Sequence, residues 1–174
     1  MNKIELNLEK ISTIAKQKER ENIAFRTFLK MQDEEKIDTI VHSLHKKITA
    51  QIDCRKCANC CSRMSAGVTV TDIRKLAALE NISAAEFEQR FLELDKSVGI
   101  TYLKDVPCRY LKDKSCSIYK DRPEDCKSYP HTQKNDFTSR IYGVIGNCEI
   151  CPIVFNLYEQ LKQELQYHSR RKKR

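Results

Sequence analysis

The chain has 174 residues, 40% of them apolar and 32% charged, with nine cysteines, no tryptophan and a formal net charge of +8. That is enough for one domain of ordinary size with a thin core. Regularly spaced Ile, Leu, Val and Phe argue against wholesale disorder. The positive sign is mostly terminal: Arg170, Arg171, Lys172, Lys173 and Arg174 carry five of the eight excess charges, so residues 1–169 carry only +3.

Met1 to Glu9 has charges at every second or third position and no uninterrupted apolar stretch of the kind a signal peptide needs. No apolar run approaches the roughly 20 residues of a membrane span. The protein is therefore expected in a reducing cytoplasm, away from membranes, where thiols stay thiols unless they bind metal or do chemistry.

Residues 1–53 contain no cysteine and read as helix. Phe25, Phe28 and Leu29 form one apolar stripe, Asp33 is placed to cap the next helix, and Ile37, Ile40, Val41, Leu44 and Ile48 repeat on a 3.6-residue period. Thr71 or Asp72 is expected to start a short helix through Ile73, Leu76 and Leu79. Ser83-Ala84-Ala85-Glu86 has the form of a capping box ahead of a helix carrying Phe87, Phe91 and Leu94. From Gly99 to Gly146 the chain is irregular, with three of its four prolines, and Ile141-Tyr142-Gly143-Val144-Ile145 reads as a short strand. Pro152 suits the first turn of a last helix with the stripe Val154, Leu157, Tyr158, Leu161 and Leu165.

The fold expected is mainly α: a helical lead-in (1–50) packed on a loop-rich, metal-stapled cysteine region (51–168) closed by the C-terminal helix. These make one domain over 1–168, followed by a disordered basic tail at 169–174. An irregular segment approaching 50 residues must be held by something other than helix or sheet ladders, and Cys108, Cys116, Cys126 and Cys148 lie in or beside it.

The first cysteine group is Cys54-x-x-Cys57-x-x-Cys60-Cys61. A Cys-x-x-Cys step lets two sulfurs meet one ion across a tight turn, and zinc and iron–sulfur sites both use it. Adjacent side chains project in different directions, so Cys60 and Cys61 are expected to serve two centres, or two sides of a multinuclear cluster. A reducing compartment argues against a disulfide framework, and a thioredoxin-type dithiol lacks its βαβ context here.

These motifs, continued in Pro107-Cys108-Arg109-Tyr110-Leu111, Cys116-Ser117-Ile118-Tyr119, Arg122-Pro123-Glu124-Asp125-Cys126 and Cys151-Pro152, resemble the YkgJ-like cysteine-cluster family, a zinc- or iron-chelating domain, and in particular a bacterial branch of it. The resemblance implies a metal- or iron–sulfur-binding domain, and related clusters occur in flagellin lysine N-methylases. Carried over residue by residue, it implies the ligands Cys54, Cys57, Cys60, Cys61, Cys108, Cys116, Cys126 and Cys151, enough thiolates for two four-ligand centres. Cys148 falls outside the pattern and reads equally as a small buried hydrophobe.

Arg55, Lys56, Arg63, Arg109, Arg122 and Lys127 lie beside cysteines in sequence and could offset thiolate charge. Arg122 is the foremost of them, because a proline-started turn would hold Cys126 and orient the guanidinium together. His131 is read as a structural or supporting group, with direct ligation the alternative. His42 and His45 read as a surface or core pair.

The chain has no phosphate loop, dinucleotide fingerprint, nucleophile elbow or His-Glu-x-x-His helix, and only four glycines. A free-standing methylase is therefore not supported. Two function classes stay open: a module that holds zinc or iron and engages a protein partner, and an iron–sulfur enzyme or enzyme subunit, with a [4Fe-4S] cluster, in redox or group-transfer chemistry. Nucleic-acid contact through the basic end is the weakest reading, since aromatic interleaving and a reading motif are missing.

Overall fold

The computed structural model describes residues 4–168, so the basic end at 169–174 lies outside the described residues. In chain order the elements are α1 (Leu8–Gln17), α2 (Glu19–Leu29), α3 (Glu34–Thr49), α4 (Cys54–Cys57), α5 (Asn59–Arg63), α6 (Val70–Leu79), α7 (Ala84–Phe91), β1 (Leu92–Asp95) and β2 (Ile100–Leu103). They continue as β3 (Leu111–Lys112), β4 (Ser115–Cys116), α8 (Glu124–Ser128), a 3-10 turn (Phe137–Arg140), α9 (Ile141–Cys148) and α10 (Pro152–Glu164). The architecture is mainly helical, as expected, and divides into two compact units: residues up to Asp53 together with those from Pro130 onward, and Cys54–Tyr129. The cysteine region at 51–168 is thus shared between the units.

In the first unit Asp33 caps α3 as expected, accepting from the Lys36 amide at 2.8 Å, and the structure adds Asn7 as the cap of α1, accepting from the Lys10 amide at 2.9 Å; each satisfies an otherwise orphaned first-turn donor. Ile37, Val41, Leu44 and Ile48 bury their side chains along α3, while Ile40 is half-buried. Helix α10 opens with Pro152 and is buried through Tyr158, so it is the helix around which this unit packs. The Tyr158 ring meets Phe25 edge-on at 5.2 Å and its hydroxyl donates to the Asn22 carbonyl at 3.1 Å. The nearly buried Lys162 ammonium is held by Glu21 and Glu159, each at 2.7 Å.

The stretch from Ile141 to Ile145, expected as a strand, is the start of α9. Ile141, Val144 and Cys148 fall on one helical face and are buried, whereas Gly143 and Gly146 lie on the exposed side. Tertiary burial of that face overrides the β preference of Ile and Val.

The second unit has a smaller core of Ile73, Leu76, Ala77, Phe87, Leu103 and Tyr110, with the partly buried Cys108, Cys116 and Ile118 packed against it. Helix α6 begins a little earlier than expected: Thr69 is its cap, and Asp72 is the third helical residue that completes the capping box. Helix α7 starts at the predicted Ser83 cap but ends at Phe91, so Leu94 is not helical. It lies on β1, antiparallel to β2, with Leu92 opposite Leu103 and Leu94 opposite Thr101. A second, two-residue hairpin pairs Leu111 with Cys116. Its turn residues Asp113 and Lys114 both have positive φ, 47° and 59°, as a tight hairpin turn of this hand requires.

Candidate metal centre

The geometry of the first cysteine group follows from one backbone reversal. Helix α4 is a single turn closed by the Ala58 amide donating to the Cys54 carbonyl at 3.1 Å, and Ala58 itself takes a left-handed conformation, φ 49°. The chain then re-enters helix as α5, which carries Cys60 and Cys61. Two short turns joined by a left-handed residue bring four sulfurs onto a stretch of eight residues.

Three further segments are fastened to this group. The Cys108 amide donates to the Cys61 carbonyl at 2.8 Å, which ties the Pro107–Tyr110 segment to α5. Helix α4 packs against β4, which carries Cys116. Helix α8, which carries Cys126, is held at both of its first two residues: the Glu124 amide donates to Asp72 Oδ1 at 3.3 Å, and Asp125 Oδ2 accepts from the Gly67 amide at 3.0 Å.

The Sγ atoms of Cys60 and Cys61 stand 3.9 Å apart. Adjacent side chains were expected to diverge, but on the short α5 turn they do not. Their separation is close to the ~3.8 Å edge of a tetrahedron of sulfurs at ~2.3 Å from a central ion. The Cys60 thiol, donating to Cys61, brings the Cys61 thiol down to about 6 against the opposing effect of burial.

Cys108, Cys116 and Cys126 are shifted the other way. Burial pushes all three up first, Cys126 to about 12. The charges of neighbouring thiols then add to it: Cys61 and Cys116 act on Cys108, Cys61 acts on Cys116, and Asp125, Cys61, Cys108 and Cys116 act on Cys126. Four cysteines from four separate segments thus share one electrostatic field. Cys108, Cys116 and Cys126 resist ionisation chiefly through burial and further because charged thiols stand near, the condition a bound cation relieves, whereas Cys61 ionises the most readily of the four. No disulfide bridges any of the nine cysteines. Among the described residues no three Cys, His, Asp or Glu side chains are drawn together into a closed coordination cage.

Of the eight residues read as ligands, Cys54, Cys57, Cys60, Cys61, Cys108, Cys116 and Cys126 belong to the Cys54–Tyr129 unit. There Cys54 is exposed and the others half-buried. Cys151 belongs to the other unit, where it is buried at the start of α10. Cys148, outside the pattern, ends α9, and burial pushes its thiol far up. His131 also falls in that unit, with a left-handed backbone and its carbonyl accepting from Arg140 at 2.7 Å.

The basic residues divide by task. The Arg109 guanidinium lies 3.4 Å from the centre of the Phe91 ring and pairs with Glu80 at 3.3 Å and Asp105 at 3.6 Å, so it secures the Cys108 segment to α6 and α7. Arg122 stacks 3.8 Å over the Tyr119 ring, and its charge favours the Cys116 thiolate. Sequence reasoning missed Asp72 and Asp125 as anchors of α8. The capping-box spacing marks the first of them, but only for its local role.

Four ordered cysteine motifs gathered by hydrogen bonds and packing into one unit agree with the comparison to known families. The family model CxxCxxCC, described as "Putative zinc- or iron-chelating domain", matches residues 53–143. The chain belongs to the CxxCxxCC family. The matched range contains seven of the eight cysteines read as ligands, and Cys151 lies beyond it. No curated protein and no solved structure matches the chain. No described helix of this family member is long and apolar enough to cross a membrane.

Proposed function

We propose that this protein is a thiolate metal-binding module that holds zinc or iron through Cys54, Cys57, Cys60, Cys61, Cys108, Cys116 and Cys126, with Cys151 as the eighth thiol. The observation that carries the reading is the gathering of Cys61, Cys108, Cys116 and Cys126 from four segments of one unit, close enough that burial and neighbouring thiols hold Cys108, Cys116 and Cys126 against ionisation. Soft thiolates suit both zinc and iron–sulfur centres, and a metal bound here would supply the positive charge that lets buried thiols ionise. The 3.9 Å separation of Cys60 and Cys61 favours their sharing one ion over their standing on different irons of a cluster, where the metals themselves hold the sulfurs apart.

The residues divide the work of capture. Cys61, already inclined to ionise at neutral pH, offers the first thiolate, and Cys126, the most resistant, gives up its proton last. Arg122 offsets part of the accumulating negative charge beside Cys116. A centre of this kind persists where thiols stay reduced, which fits a cytoplasmic protein. The helices of the first unit then serve as the surface presented to a protein partner.

The test is the metal content and absorption spectrum of protein purified without oxygen. Zinc or iron is expected in stoichiometric amount, lost in Cys57→Ser and Cys126→Ser and retained in Cys148→Ser. A colourless zinc protein supports the binding module, and visible absorption with iron and sulfide moves the centre to an iron–sulfur type. Equal loss in Cys148→Ser and Cys57→Ser would overturn the ligand set.

A further inference from the structure

Asp72 is a carboxylate with only 4% of its surface exposed, on a helix whose other buried residues are apolar. Its Oδ2 completes the α6 capping box by accepting from the Thr69 amide at 3.0 Å and the Thr69 hydroxyl at 2.7 Å. A capping box needs nothing beyond this exchange between the cap and the third helical residue. Here the second oxygen, Oδ1, reaches across 52 residues of sequence to accept from the Glu124 amide at 3.3 Å.

The recipient is the element least able to hold itself. Helix α8 has five residues, too few to be stable alone, and its cap position is Pro123, which makes no side-chain capping bond. Its first amide is satisfied by Asp72, and its next residue, Asp125, is hooked to the Gly67 amide. The 66–68 segment is in turn fixed by the Val68 amide on the Thr101 carbonyl at 2.9 Å and the Leu103 amide on the Ala66 carbonyl at 3.0 Å. Position and direction of α8, and therefore of Cys126 at its centre, are thus set by two carboxylate links to the α6 lead-in.

We infer that Asp72 is a positioning residue of the metal centre, acting through the Glu124 amide to aim Cys126 at the other thiolates. The inference rests on the reading of Cys126 as a ligand and adds to it the residue that makes this ligand available. A positioning bond one step removed from a metal ligand is commonly worth 10–100-fold in metal affinity.

The experiment is a double-mutant cycle on the full chain, read as Zn(II) affinity by competition with a chromophoric chelator. Asp72→Ala removes both roles of the carboxylate. Glu124→Pro removes the donor of the long-range bond, along with only an exposed Glu124–Lys127 ion pair at 3.7 Å, because proline is well accepted at the first position of a helix and α6 keeps its capping box. Each is expected to weaken Zn(II) binding about 10–100-fold in the native background and by at least threefold less on the weaker binding of added Zn(II) that the remaining thiols of Cys126→Ser support. Ser83→Ala, which removes the α7 cap in the same unit, reaches the metal only through the stability of the unit and is expected to weaken Zn(II) affinity by about fivefold at most, equally with and without Cys126→Ser.

An undiminished effect of Asp72→Ala in the Cys126→Ser background would mean that it acts through general stability and would overturn the inference alone. So would a loss in Asp72→Ala that Glu124→Pro does not reproduce, or an equal loss in Ser83→Ala. If Cys126→Ser itself leaves Zn(II) affinity unchanged, the ligand reading fails and the inference fails with it.

Discussion

Removing the metal is expected to melt the Cys54–Tyr129 unit and spare the other. Among the described residues 27 apolar ones are buried, twenty in the unit built around α10 and seven in the cysteine unit, so the second has far less apolar burial to oppose its conformational entropy. For a domain with so thin a core, metal binding is folding free energy, of order 10 kcal/mol for structural zinc. Among the described residues, helices α4 to α8 supply 32 of the 90 residues in α-helices, and 18 of those 32 lie in α6 and α7. A strong chelator added to the loaded protein should therefore remove between about a fifth and a third of the far-ultraviolet helical signal, depending on how far the one-turn helices contribute. Re-addition of metal should restore it. The remaining signal should melt in one cooperative transition at higher temperature, insensitive to chelator. Loss of the whole helical signal in a single chelator-dependent step would refute the reasoning, because it would mean that the larger core is not self-sufficient. No loss at all would refute it from the other side.

Metal uptake requires the thiols to give up their protons, so Zn(II) binding is expected to release protons and to weaken as pH falls; binding unchanged between about pH 8 and about pH 5 would contradict the thiolate assignment. Lys162→Met removes the cation that Glu21 and Glu159 share, while Glu159 keeps Lys18, and should cost the first unit about 2 kcal/mol, read as a lower melting midpoint of the chelator-insensitive transition.

Local signals in the chain determine a good deal. Asp33, Ser83 and Pro152 open helices because a cap or a fixed φ acts within three residues of itself, and the stripe on α3 buries because helical spacing alone puts it on one face. The repeated Cys-x-x-Cys step and the motifs around Cys108, Cys116 and Cys126 carry the family, since ligand spacing around an ion is also a local constraint. Where the sequence misleads, a distant partner decides. Ile141 to Ile145 is helix because one of its faces is buried in the first unit, and Leu94 leaves its helix because β2 offers it a ladder.

Other features exist only in the folded chain. The Cys108 amide finds the Cys61 carbonyl across 47 residues, Arg109 turns from the cysteine beside it to Phe91 and Glu80, and Asp72 spends one oxygen on its own helix and the other on α8. Spacing names the thiols, because each motif is short enough to be read in one turn of chain. Which thiols feel one another, and which ionises first, depends on hydrogen bonds and burial between segments that no local pattern encodes, and that much the tertiary structure alone decides.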